Sequence, residues 1–151
     1  MRLVFGNYQK IADWVGERCG VEFYTVDSAI GIANDVGEMV GGYVFTGHDR
    51  NGIELSLAGR AVVYRGGWCA VIDYVFRQIG CVRLQSHTKR SNKPVLRMLA
   101  DKKTGLGWRF EGVARRYYGN EDGMVYSLTV DDLPAFIERW KLRIAHHGFK
   151  P

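Results

Sequence analysis

The amino-acid sequence predicts one α/β (α+β) domain around a mixed, mostly antiparallel sheet. Two patterns carry this. Residues 53–92 read as strand, tight turn, helix, strand and polar turn, a βαβ unit whose two strands run parallel. Two strand-like runs ahead of it, 29–34 and 39–46, are joined by short turns to each other and to its first strand, which makes an antiparallel meander of three. At 151 residues the chain is of single-domain length and long enough for a sizeable core.

Arg2-Leu3-Val4-Phe5-Gly6 is a short first strand. Asn7 is placed to cap a helix whose Ile11, Trp14 and Val15 share one face, and Gly20 ends it. Residues 21–28 read as a loop or short helix, with Phe23, Tyr24 and Val26 packed on the sheet. Residues 29–34 form a strand, 35–37 a turn, and 39–46 the next strand, with Tyr43 and Phe45 on one face and Val44 on the other. Residues 48–52 form a hairpin turn in which Asn51-Gly52 supplies positive φ. Ile53, Leu55 and Leu57 then alternate with Glu54, Ser56 and Ala58, the period of a half-buried strand, and Gly59 ends it. The amphipathic segment finishing in residues 68–79 is the crossover helix, with Gly80 at its C-cap. Cys81, Arg83 and Gln85 alternate with Val82, Leu84 and Ser86 in the returning strand. Ser91 or Asn92 caps a helix through Val95, Leu96, Met98 and Leu99, with Pro94 near its start, where proline is tolerated. Residues 101–105 are extra helix or loop. Residues 108–113 are a strand, 119–123 a turn and 124–128 a closing strand. Asp131 or Asp132 caps a last helix bearing Leu133, Phe136, Ile137 and Trp140, and residues 145–151 are expected to be a frayed tail.

A content of 46% hydrophobic and 25% charged residues places the chain among soluble globular proteins. Cys19, Cys69 and Cys81 form no C-x-x-C pair, which argues against a disulfide scaffold or zinc site and for a reducing compartment. No apolar run reaches membrane-spanning length and no leader pattern is visible at Met1-Arg2-Leu3, so a cytoplasmic protein without membrane contact is expected. The net charge of +5 suits nucleic acid, an anionic cofactor or an acidic protein substrate. No P-loop, Ser-His-Asp set or metal motif is present. His48 lies in a turn, and the adjacent His146 and His147 lie in the tail and do not make a metal site. His87, near a strand end, is the histidine expected near the cleft. Arg115-Arg116-Tyr117-Tyr118 reads as a solvated hairpin end with its tyrosines packed on the sheet. The alternative for it is binding of acidic substrate or nucleic acid by charge and stacking.

The order Gly52-Ile53-Glu54-Leu55-Ser56-Leu57, then Asp73-Tyr74-Val75-Phe76 with Gly80-Cys81-Val82-Arg83-Leu84, then Ser91-Asn92, then Leu106-Gly107-Trp108 with Phe110-Glu111-Gly112, resembles the GNAT superfamily of N-acetyltransferases. The resemblance spans about residues 29–128 and is most similar to the ribosomal-protein and protein N-terminal acetyltransferase branch. It implies a GNAT fold, a twisted sheet with helices on both faces. It further implies acetyl transfer from acetyl-coenzyme A to an amine, on a protein N-terminus or lysine, without metal. The protein would act as a monomer or homodimer in the cytoplasm (a host's, if phage-encoded). The other readings are a GNAT-fold binding protein without catalysis and a basic nucleic-acid-binding domain.

Acetyl transfer requires backbone donors for pyrophosphate, an exposed strand edge for the pantetheine arm, a base for the amine and a donor for the oxyanion. The resemblance places pantetheine along Leu55 to Leu57, with an oxyanion donor at a backbone N–H there. It makes Glu54, which leaves the apolar face, the general base. It sets Asn92 beside the cofactor, where an N-cap role worth about 1 kcal/mol can hold at the same time. Val95 stands where the family often carries serine, and Met98, Leu99 and Asp101 lie near its usual tyrosine general acid, so the proton source for the departing thiolate is unassigned. The family's phosphate motif, Arg or Gln, two residues, Gly, one residue, Gly or Ala, is met most nearly at Tyr64-Arg65-Gly66-Gly67-Trp68. There Val63 takes the basic position and Trp68 that of the second glycine. A gapless alignment from Glu54 to Gly80 instead puts the turn at Gly59-Arg60-Ala61-Val62-Val63 and Gly66-Gly67 inside a helix beginning near Arg60. That resembles a group of short GNAT proteins, many from tailed phages, that lack the glycine motif. The gapless reading is the one expected here, with Arg60, Val62, Val63, Tyr64 and Arg65 around the cofactor.

Overall fold

The computed structural model describes residues 1–144, so the tail expected at 145–151, with His146 and His147, lies outside the described residues. Its strands are β1 (Arg2–Val4), β2 (Ser28–Ala33), β3 (Met39–Thr46), β4 (Gly52–Ala58), β5 (Arg83–Lys89), β6 (Arg109–Ala114) and β7 (Gly123–Thr129). Its α-helices are α1 (Tyr8–Cys19), α2 (Arg65–Ile72), α3 (Lys93–Ala100) and α4 (Leu133–Trp140). The strands form one sheet in the order β1-β2-β3-β4-β5-β7-β6. The β4–β5 pair is parallel and every other neighbouring pair is antiparallel. The mixed, mostly antiparallel sheet is therefore as expected. Sequence order did not reveal that β7 inserts between β5 and β6.

The period-two alternation sets two layers on the sheet. Ile30, Ile32, Tyr43, Phe45, Ile53, Leu55 and Leu84 face the larger core, which α2, α3 and α4 cover. Ala29 and Val44 face the smaller one, where α1 lays down Ile11, Ala12 and Val15. Helices thus stand on both faces. Trp68 of α2 is fully buried, with Tyr43 at 5.4 Å, Phe136 at 5.8 Å and Trp108 at 6.0 Å between ring centroids. Those edge-on contacts lock α2 and α4 to the sheet.

Several local expectations are corrected. The crossover helix does not begin near Arg60. Residues Arg60–Val63 form one turn of 3₁₀ helix, and the chain then breaks at Tyr64, whose ψ of 124° is extended. The α-helix starts at Arg65 and relaxes into a π-helical turn at Asp73–Gln78, with Gly80 beyond it at φ 68°. Ala61 and Val62 are buried, so core burial fits the tighter turn as well as it would a helix. Asn51 and Gly52 supply no positive φ; Gly47 does. The carboxylate of Asp49 builds that loop by accepting the N–H groups of Asn51 and Gly52. Asn7 sits in the left-handed region and makes no side-chain cap, and Asn92 and Asp132 occupy N-cap positions likewise without one. Residues 21–27 are loop, with Phe23 and Val26 packed on the α1 core and Tyr24 exposed. Residues 101–105 are also loop, turned by Asp101 on the N–H groups of Lys103 and Thr104.

Candidate functional site

β4 and β5 stay paired over Gly52–Glu54 and Arg83–Gln85 and then part. Each strand follows its other neighbour: β4 remains on β3 as far as Ala58, and β5 remains on β7 as far as Lys89. Adjacent strands are rotated by roughly 20–25°, so two strands held by different partners diverge once their own bonds end. The buried Ser86 hydroxyl donates to the Leu55 carbonyl at 2.7 Å, where pairing stops. Carbonyls two residues apart on a strand point the same way. The Leu57 carbonyl therefore also faces the gap, and the Cys19 thiol donates to it at 3.5 Å.

The gap is a cavity of about 340 Å³. Its walls are β4 from Leu55 through Gly59, β5 from Ser86 to Lys89, the end of α1, Asn92 and α3. Gly59, at φ 95°, turns the chain out of the cavity; a Cβ there would lie 2.5 Å from the Val40 carbonyl. Arg18 and Lys89 are charged groups on the wall, and among the described residues no carboxylate lines it. The cavity thus favours an anion. Burial pushes the Cys19 thiol above its ordinary range, and Lys89 offsets part of that.

On the α1 face, beside the same gap, Glu54 meets His87. Oε1 of Glu54 lies 2.7 Å from Nδ1 of His87, with side-chain exposures of 22% and 13%. The Tyr117 ring stacks on the imidazole at 4.1 Å between centroids and 3° between planes. The Tyr117 hydroxyl is 3.4 Å from the same carboxylate oxygen. Burial, then the charge of Glu54, raises the Tyr117 phenol above its ordinary range. Tyr118 donates to the His87 main-chain carbonyl at 2.9 Å, lines the cavity, and is also pushed up, chiefly by burial. Arg116, just ahead of the two tyrosines, sits in the left-handed region at φ 52°.

The expected site residues divide in two. Glu54, Leu55, Leu57 and Asn92 come together around the gap. Arg60, Val62 and Val63 on the turn beyond Gly59, Tyr64 at the break and Arg65 at the start of α2 do not line the cavity. Arg60, Val63 and Arg65 are exposed, whereas Val62 is buried in the core and its carbonyl accepts the Tyr43 hydroxyl at 2.9 Å. Sequence reasoning missed Ser86, Cys19 and the Tyr117 stack. His87 was expected near the cleft, but its pairing with Glu54 was not. The register supplies the missed signal: with Glu54 opposite Gln85, His87 is the next β5 side chain on that face. Among the described residues no group of three His, Cys, Asp or Glu could hold a metal, and no helix is long and apolar enough to cross a membrane.

No family model matches the sequence, and none of the curated proteins is similar to it. Solved structures are similar in fold. A GCN5-related N-acetyltransferase from Brucella melitensis is 23% identical with a TM-score of 0.59, over 76% of this chain and 56% of its own. Mutant forms of the spermidine/spermine N-acetyltransferase SpeG from Vibrio cholerae are 8% identical with a TM-score of 0.66, over 89% and 98%. The Campylobacter jejuni N-acetyltransferase PseH in complex with acetyl coenzyme A is 14% identical with a TM-score of 0.51, over 68% and 67%. The chain spans 64% of the length of two further solved structures it matches. At these identities the likeness is one of fold, and the fold is that of GNAT-type acetyltransferases.

Proposed function

We propose that this protein transfers an acetyl group from acetyl-coenzyme A to an amine, on a protein N-terminus or lysine. The observation that carries the reading is the parting of β4 from β5, with the Leu57 backbone turned into the gap and a carboxylate–imidazole pair beside it. The pantetheine arm would lie along Leu55 to Leu57 and displace the weak thiol bond of Cys19. A backbone N–H of that stretch would hold the oxyanion. The Glu54–His87 pair would take the amine's proton as its nitrogen attacks the thioester carbonyl. The C–N bond forms, the C–S bond breaks, and the thiolate takes a proton from solvent. Arg18, Lys89 and the turn bearing Arg60 and Arg65 would hold the phosphates, and Asn92 would flank the arm. The structural likeness to an acetyltransferase complexed with acetyl coenzyme A supports the co-substrate. The protein-amine acceptor, the ribosomal-protein or phage-type branch, the monomer or homodimer state and a cytoplasmic setting belong to the same proposal.

A second reading, a GNAT-fold binding protein without catalysis, is favoured by one observation: Ser86 and Cys19 already occupy the two gap-facing carbonyls. Calorimetry with acetyl-coenzyme A, together with thiol release in the presence of peptide amines, tests both. Binding and turnover are expected. A melting temperature that acetyl-coenzyme A does not raise at millimolar concentration excludes the transferase, because a ligand of the native state must stabilise it. Binding without turnover leaves the second reading.

A further inference from the structure

We infer that the proton-accepting atom of this site is Nε2 of His87, with Glu54 and Tyr117 as the residues that position it. The inference rests on the acetyl-transfer reading and assigns roles within its carboxylate–imidazole pair. The ring is fixed from three sides. The Glu54 carboxylate bonds Nδ1 at 2.7 Å, Tyr117 stacks on the ring plane at 4.1 Å, and Tyr118 holds the main-chain carbonyl at 2.9 Å. A carboxylate can only accept, so the neutral imidazole must carry its proton on Nδ1. The lone pair is then on Nε2, which makes no hydrogen bond among the described residues.

Glu54 is poorly placed to act alone. Its Oε1 already serves the imidazole and faces the Tyr117 hydroxyl. Imidazole ordinarily titrates about two units nearer neutrality than a carboxyl group, and a base works best when its pKa lies near the working pH. The amine would give its proton to Nε2 as its nitrogen bonds the acetyl carbon. The resulting imidazolium is held by the carboxylate and later loses that proton to solvent. The charged and titratable groups around the ring are Glu54 on β4, Lys89 on β5, Arg18 and Cys19 at the end of α1, and Tyr117 and Tyr118 from the turn between β6 and β7.

The test follows acetyl-coenzyme A consumption against pH, with a peptide carrying a free N-terminus and one lysine as acceptor. Calorimetry measures cofactor binding separately. In the wild type kcat/KM is expected to rise through one ionisation. In Glu54→Gln that ionisation moves to lower pH, because the imidazolium has lost its counter-charge. In His87→Gln it disappears and the rate falls by about 10²–10⁴-fold, while cofactor binding is kept. His87→Ala regains activity when imidazole is added. A His87→Gln protein that keeps the pH step and nearly full rate overturns the assignment and returns the base to Glu54. A wild type that neither binds acetyl-coenzyme A nor transfers acetyl overturns the reading underneath. Nitrogen-15 NMR of the wild type needs no variant: the neutral ring is expected to carry its proton on Nδ1, and a proton on Nε2 overturns the inference.

Discussion

The Ser86 hydroxyl and the Leu55 carbonyl meet at 2.7 Å, at the first β4 residue that β5 no longer pairs. That bond satisfies a buried acceptor which the ladder has abandoned. Ser86→Ala removes it, and one such bond is worth about 1 kcal/mol net, or up to about 3 when the remaining partner stays buried and unpaired. A domain of this size loses about 2–4 °C of melting temperature per kcal/mol. Calorimetric melting should therefore show a drop of several degrees. An unchanged melting temperature would mean that solvent already reaches Leu55.

Much of this was legible in the sequence. The alternation from Met39 to Thr46 and from Ile53 to Ala58 predicted the two strands and their buried faces, because in a strand the side-chain period alone sorts the faces. The resemblance, not any local pattern, singled out Leu55, Leu57 and Asn92, which the fold brings together around the gap. The break at Tyr64 was not legible. Ala61 and Val62 satisfy burial in either helix type, so their pattern does not choose between them. The insertion of β7 beside β5 is a non-local pairing that no local pattern announces. The stacking of Tyr117 on His87 depends on it, since 30 residues of chain position separate the two rings.

Cys19 reports on occupancy of the gap. Burial raises its thiol above the ordinary range, so the thiolate that attacks alkylating agents is scarce at neutral pH. Iodoacetamide should modify Cys19 slowly at pH 7, and faster as the pH rises. Acetyl-coenzyme A should slow it further, because the thiol sits on the Leu57 carbonyl that the pantetheine arm would take. Peptide mass spectrometry with and without the cofactor measures this. Equal modification rates would show that the arm does not lie along Leu57.

Several carboxylates held below their ordinary range predict a loss of stability in acid. Arg77 holds Asp73 below the usual carboxylate range, and Arg83 does the same for Glu111. Backbone N–H groups hold down Asp49 and Asp101. A depressed folded-state pKa contributes stability that is complete above the unfolded value, about 4, and is lost as pH falls through the folded value. The carboxylate contribution to the melting temperature should therefore be lost as the pH falls below about 4. Asp101→Asn should lessen the loss, because its amide cannot ionise. An equal slope in that variant would remove Asp101 from the account.

Gly66 and Gly67 are neighbours in the first turn of α2, yet alanine should act differently at each. A Cβ on Gly67 would lie 2.5 Å from the Tyr43 hydroxyl. Tyr43 is fully buried and donates to the Val62 carbonyl at 2.9 Å, so it has nowhere to go. Overpacking of this kind costs about 1–3 kcal/mol, and Gly67→Ala should melt several degrees lower. A Cβ on Gly66 would meet the far end of the Tyr64 ring at 2.7 Å. That ring is half-buried beside the break and can swing aside at the expense of its packing. Alanine over glycine inside a helix gains about 0.5–1 kcal/mol, which roughly offsets the displaced ring. Gly66→Ala alone should be nearly neutral. In a Tyr64→Ala background the same change should become stabilising, because the obstruction is gone while the helical gain remains. A double-mutant cycle by urea denaturation reads the difference as a coupling energy. Zero coupling would show that the ring does not rest on Gly66.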